Sequence, residues 1–89
     1  MRELLVGSCQ AMDEEGRTHG YRYYILVGEM PVGGLTCESY GVKIVGENGD
    51  QASVENLTIR TERIDRLMEL LIRNAVSPVA LRDVIDDWL

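Results

Sequence analysis

Few residues of this chain have the type and spacing that chemistry requires. Nucleophilic catalysis needs a hydroxyl or thiol, a base that takes its proton and a third group that orients the base. The single histidine, His19, falls in the polar run Asp13-Glu14-Glu15-Gly16-Arg17-Thr18-His19-Gly20, where an exposed loop position is expected. Gly7-Ser8-Cys9-Gln10 lacks the closing glycine and the strand-to-helix setting of a nucleophile elbow. Cys9, His19 and Cys37 are groups that zinc accepts, but structural zinc sites draw ligands from pairs two to four residues apart, and no two of these are so close. Asp83 and Asp87 lie one helical turn apart and read as a solvated face. Gly33-Gly34 and the Gly46 to Gly49 segment neither open a helix nor carry the lysine that neutralises phosphate, so they read as turns. No catalytic residue, metal or cofactor is expected, and the chain reads as a non-enzyme.

Two other groups could bind. Arg60, Arg63 and Arg66 bunch near the start of a helix, where cations oppose the helix dipole, and are candidates for an anion or partner contact. Glu62, Asp65 and Glu69 are placed to neutralise them locally. The second group lies in Tyr21-Arg22-Tyr23-Tyr24-Ile25-Leu26-Val27-Gly28. In a strand, alternate side chains point to opposite faces, so Tyr21, Tyr23, Ile25 and Val27 go one way and Arg22, Tyr24, Leu26 and Gly28 the other. Both faces of a sheet then receive large apolar groups, and helices that cover one face leave the other open. Leu5 and Val45 are expected to join Tyr24 and Leu26 on that open face as an interaction surface.

The elements that position these residues follow from the periodicity. Glycine-rich polar punctuation separates segments of β-branched and aromatic residues over the first sixty positions, giving strands at about 2–12, 21–29, 36–46 and 51–59. Met30-Pro31-Val32-Gly33-Gly34 reads as a break, because proline lacks a ladder donor. Asn48-Gly49 is the pair that accepts positive φ in a tight hairpin. After Arg60 the period becomes about 3.6, with Ile64, Leu67, Met68 and Leu71 on one stripe, predicting a helix over 62–74 capped by Thr61. Glu62 with Arg66 and Glu69 with Arg73 are expected to pair along it. Ser77-Pro78 opens a second helix over 78–88, with Leu81, Val84, Ile85 and Trp88 toward the core. The expected fold is α+β: a four-stranded antiparallel meander followed by two C-terminal helices packed on one face, in a single domain over 1–89.

Composition narrows the function classes. Apolar residues make up 45% and charged residues 27%, ordinary globular usage. A net charge of -6 repels phosphate backbones, so nucleic acid is not expected as a partner. The chain has no apolar run of the roughly 18 residues a membrane span needs, so no membrane partner is expected. With only two cysteines, both read as reduced thiols, a cytoplasmic location is expected.

Tyr21-Arg22-Tyr23-Tyr24, Tyr40-Gly41-Val42-Lys43-Ile44 and the run from Asn74 to Leu89 through Ser77-Pro78 and Leu81-Arg82-Asp83-Val84 resemble a family of small bacterial (Firmicutes-type) proteins of unknown function. The resemblance covers most of the chain and implies a stand-alone cytoplasmic bacterial domain, without assigning a role to any residue. The function expected from the residues is a non-enzymatic protein-interaction or regulatory domain acting through the open sheet face, as a homodimer or by docking another protein. The alternative is a small-molecule or anion-binding module using the tyrosines and Arg60, Arg63 and Arg66.

Overall fold

A computed structural model describes residues 2–89. Four antiparallel strands, β1 (Arg2–Met12), β2 (Thr18–Val32), β3 (Leu35–Gly46) and β4 (Gln51–Thr58), form an open meander in the order β1-β2-β3-β4. Helix α1 (Thr61–Arg73), a 3-10 turn (Pro78–Ala80) and helix α2 (Leu81–Trp88) follow. The α+β architecture is the one expected.

Two hairpins differ from expectation, for identifiable reasons. β2 and β3 run through the expected break at 30–34 and turn only at Gly33 and Gly34, whose φ angles of 56 and 83 suit a two-residue hairpin turn. Pro31 is tolerated there because, among the described residues, the pairing of β1 with β2 ends at Arg2 with Val27, four positions short of Pro31, which lies on an edge. β2 also begins earlier than expected. His19 sits in the strand opposite Ala11, not in a loop, and its Nε2 lies 2.8 Å from Oδ2 of Asp13. The other carboxylate oxygen of Asp13 accepts the backbone N–H groups of Glu15 and Arg17, both at 2.9 Å, which closes the β1–β2 turn.

The helices cover one side of the sheet. Tyr23, Val42 and Ile44 from the strands meet Ile64, Leu67, Met68 and Leu71 of α1 in the core, joined by Val76, Leu81 and Ile85. Tyr23 is fully buried, and its hydroxyl donates to the Val76 carbonyl at 2.9 Å with the Cys9 sulfur at 3.3 Å. Loss of solvation in this setting raises the Tyr23 pKa beyond the usual phenol range, so the hydroxyl keeps its proton and remains a donor.

Helix ends depart from the expected caps. Arg60, with extended backbone, is the N-cap residue and offers no side-chain bond; Thr61 is already helical. Oγ1 of Thr58 accepts the N–H of Arg60 instead, at 3.1 Å. At the other end the N–H of Ala75 donates to the Ile72 carbonyl and that of Val76 to the Leu71 carbonyl, a Schellman closure with Ala75 at φ 49 where glycine is usual. α2 is shorter than expected because the residues after Ser77 form a 3-10 turn first. Leu81 and Ile85 are buried as expected, while Val84 and Trp88 are only half-buried. The expected Glu62–Arg66 and Glu69–Arg73 pairs do not form; Glu62 is taken by Arg60 at 3.1 Å.

One glycine is required by close approach. A register shift between Tyr40 and Val42, with Asn56 at φ 54, bulges β4 over Gly41. A Cβ on Gly41 would overlap the Val54 carbonyl oxygen and lie 2.8 Å from the Glu55 Cα. Gly41→Ala is therefore expected to destabilise by about 1–3 kcal/mol in chemical denaturation. Gly28→Ala, whose nearest neighbours lie at 3.8 Å, should cost clearly less. Equal losses would show that the bulge yields. Ala75→Gly removes left-handed strain and should raise stability by about 1 kcal/mol. An unchanged denaturation midpoint would contradict that account.

The Asp13 turn generates a pH dependence. The bond from His19, followed by the backbone bond from Arg17, holds the Asp13 carboxyl below its usual value. A lowered folded-state pKa means that the associated stability is present above the ordinary carboxylate range and is lost as pH falls through the lower, folded value. Melting temperatures recorded from neutral pH downward should fall less for Asp13→Asn than for the unchanged chain across that acid range. Parallel curves would remove Asp13 from the acid response.

Candidate functional site

The sheet face opposite the helices carries the expected interaction residues. Cross-strand pairing places Leu5, Tyr24, Lys43 and Ser53 in one row across the four strands, and Ser8, Arg22, Val45 and Gln51 in the next. Leu5 is 61% exposed, whereas Tyr24 and Val45 are half-buried. The Lys43 ammonium lies 6.0 Å from the Tyr24 ring centroid and 3.0 Å from Glu3 Oε2. Aromatic body, aliphatic side chains and a tethered ion pair thus share one surface, which the helices do not cover.

Leu26 requires a correction. It points to this face, as alternation demands, yet is only 3% exposed and supplies no binding surface. Its cross-strand neighbour is Gly41, which has no side chain, and the bulged β4 backbone enters the space so left. Leu26 lies at the bottom of a depression of about 260 Å³ whose rim includes Glu3, Lys43, Ser53 and Glu55. It anchors β4 from the open side. Alternation reports a side chain's direction and not what the neighbouring backbone does above it.

The three arginines do not converge. Arg60 is engaged with Glu62, and the Arg63 guanidinium lies 4.5 Å from the Trp88 ring centroid, a cation–π contact between α1 and α2. A shallow, mainly apolar groove of about 490 Å³ lies beside that contact, lined by Leu70, Val84, Asp87 and Trp88. Arg66 is exposed, with no ion pair among the described residues.

The candidate chemical residues are also scattered. Cys9 lies opposite Tyr21 and Cys37 opposite Met30, nine positions apart along β2 and hence about 30 Å at about 3.3 Å per residue. That span rules out a shared ligand or a disulfide within one chain. Among the described residues no three His, Cys, Asp or Glu side chains are grouped so as to hold a metal ion. No helix among them is long and apolar enough to cross a membrane.

Sequence reasoning missed the rim of the sheet. Leu4, Leu5 and Val6, consecutive in β1, are 47%, 61% and 46% exposed, although successive side chains of a strand point to opposite faces. Their place in an edge strand accounts for all three together. The signal in the sequence was an apolar triplet in a strand with no charge from Leu4 to Met12.

Neither the curated proteins nor the solved structures contain a match to this chain. A family model does match it, over residues 2–89, which is nearly its whole length. On that match the chain belongs to the family of unknown function DUF6514.

Proposed function

We propose that this chain is a non-enzymatic interaction domain whose working surface is the uncovered sheet face around Leu5, Tyr24 and Val45. The observation that carries the reading is one-sided cover: α1 and the segment after it pack on the Tyr23, Val42 and Ile44 side, and the opposite side keeps Leu5 exposed beside a half-buried tyrosine. Tyrosine suits such a surface, since it contributes a large contact area with few rotors to freeze. The ion pair of Glu3 and Lys43 at the centre gives a partner polar groups to match, which favours specificity over indiscriminate sticking. The chemistry-bearing side chains lie apart, which supports a binding role over a catalytic one. Dispersal of Arg60, Arg63 and Arg66 weighs against the anion-binding alternative.

The test compares the unchanged chain with Tyr24→Glu/Val45→Glu, both changes on the open face and off the core, as baits in extract of the native cell. Protein species retained by the unchanged chain and lost with a double variant of unchanged circular dichroism are the expected result. An identical set of retained species, or none, would overturn the reading. In a parallel thermal-shift screen of metabolites no ligand is expected to raise the melting temperature; one that does so in proportion to its concentration would favour the small-molecule alternative.

A further inference from the structure

We infer that the free edge of β1 is a self-association surface, pairing antiparallel with β1 of a second copy about a two-fold axis near Leu5. The site is the edge, not the open face, so the two readings stand or fall separately.

The first argument is geometric. Leu4 lies opposite Ile25 and shares the helix side of the sheet, while Leu5 lies opposite Tyr24 on the open side. A partner resting on either face would cover one and leave the other in water. A partner approaching along the edge covers Leu4, Leu5 and Val6 together. The second argument concerns the backbone. Among the described residues β1 has a neighbour on one side only, so the outer N–H and C=O groups of an 11-residue strand have no strand partner. The register shift between Leu5 and Gly7 also leaves Val6 without a β2 partner.

Exposed edges usually carry protection in the form of lysine, proline, inward charges or short length. The other edge of this sheet has it: β4 is only 8 residues long and carries a charge, Glu55, in its middle. β1 has two charges, Arg2 and Glu3, both at its start. Pairing about Leu5 places Leu4 against the second copy's Val6 and Gly7 and, because the shift at Val6 moves the register on by one residue, Glu3 against Ser8 and Arg2 against Cys9. No like charges meet, and the apolar triplet is complementary to itself. The edge is large enough for a weak contact. The paired stretch from Arg2 to Cys9 spans about 26 Å at about 3.3 Å per residue, and a strand with a helix stacked on it is about 15 Å deep, giving about 400 Å² per copy. The total of about 800 Å² lies in the range of weak, transient contacts, so a dimer with a dissociation constant of about 100 µM or weaker is expected.

Sedimentation velocity of the intact chain from about 10 µM to about 1 mM tests this, a range that brackets such a constant. The expected result is a monomer that becomes a dimer across the series, with backbone amides of β1 exchanging more slowly at the high end. Leu4→Lys/Val6→Lys should remain monomeric throughout with an unchanged circular dichroism spectrum. If that variant unfolds, Val6→Lys alone, at the bulge, should do the same. Tyr24→Glu/Val45→Glu, which alters only the open face, should still dimerise. A monomer at every concentration overturns the inference. So does a dimer lost in the open-face variant and kept in the edge variant. Slowed β1 exchange that appears only when a foreign protein is added would assign the edge to another chain's strand and likewise overturn self-pairing.

Discussion

The two halves of this fold are joined by one buried hydrogen bond. Tyr23 extends from the middle of β2 through the core, and its hydroxyl donates to the carbonyl of Val76 in the segment between α1 and the following turn. A buried phenol without an acceptor is costly, and so is a buried carbonyl without a donor. Both are satisfied only when α1 ends where it does, so that Val76 arrives over Tyr23. The Schellman closure delivers that end point: Ala75 takes a left-handed conformation, Val76 turns back to donate to Leu71, and its side chain enters the core. The strain accepted at Ala75 is thus tied to the position of a carbonyl that the sheet requires.

Helices held in this way cover one side of β2 and β3, and the other side is organised by a different constraint. There the decisive residue is Gly41. Its missing side chain lets β4 bulge across, which buries Leu26 from the open side without any third layer. Ser39 is buried beside the bulge and hydrogen-bonded to the Asn56 side chain, so the polar groups created by the irregularity are satisfied locally. The open face is consequently split. The Gly41 end is closed by the protein's own backbone, and the Leu5, Tyr24 and Val45 end is left for contact.

Regular periodicity was legible in the sequence and irregular backbone was not. The switch from period two to period 3.6 after Arg60 reports the meander and α1, because burying one stripe of a helix against one sheet face constrains many side chains at once. The Asn48-Gly49 hairpin was equally readable, since it depends on a local φ preference. Pro31 does not break the strand because the consequence of proline depends on whether a neighbouring strand needs its missing donor, and among the described residues no β1 residue lies opposite it. The direction of Leu26 is local information and points to a surface, whereas the β4 bulge that covers it is tertiary. The place of His19 in a strand is not legible, because the tight Asp13 turn, which lets pairing resume by Thr18, rests on side-chain bonds that periodicity does not encode. Within the candidate site, Leu5, Tyr24 and Val45 face as alternation indicates, and the edge character of β1 emerges only from strand order.

Strand order also bears on what kind of binding the fold can support. A face contact must match the side chains of Tyr24 and Val45 and the charges of Glu3 and Lys43, so its selectivity comes from shape and charge. An edge contact satisfies backbone groups that are alike in every protein, and its selectivity has to come from register. In β1 the register is marked by the apolar triplet and by the shift at Val6, features that a second copy reproduces by symmetry and an arbitrary strand does not. Leu5 lies where the two surfaces meet, on the open face by direction and on the edge by position. A two-fold pairing at Leu5 would set the open faces of both copies side by side in one continuous eight-stranded sheet. The Tyr24 side of each would stay uncovered and be presented twice to the same partner. Bivalent presentation of this kind strengthens a weak face contact through effective concentration without any new side-chain interaction.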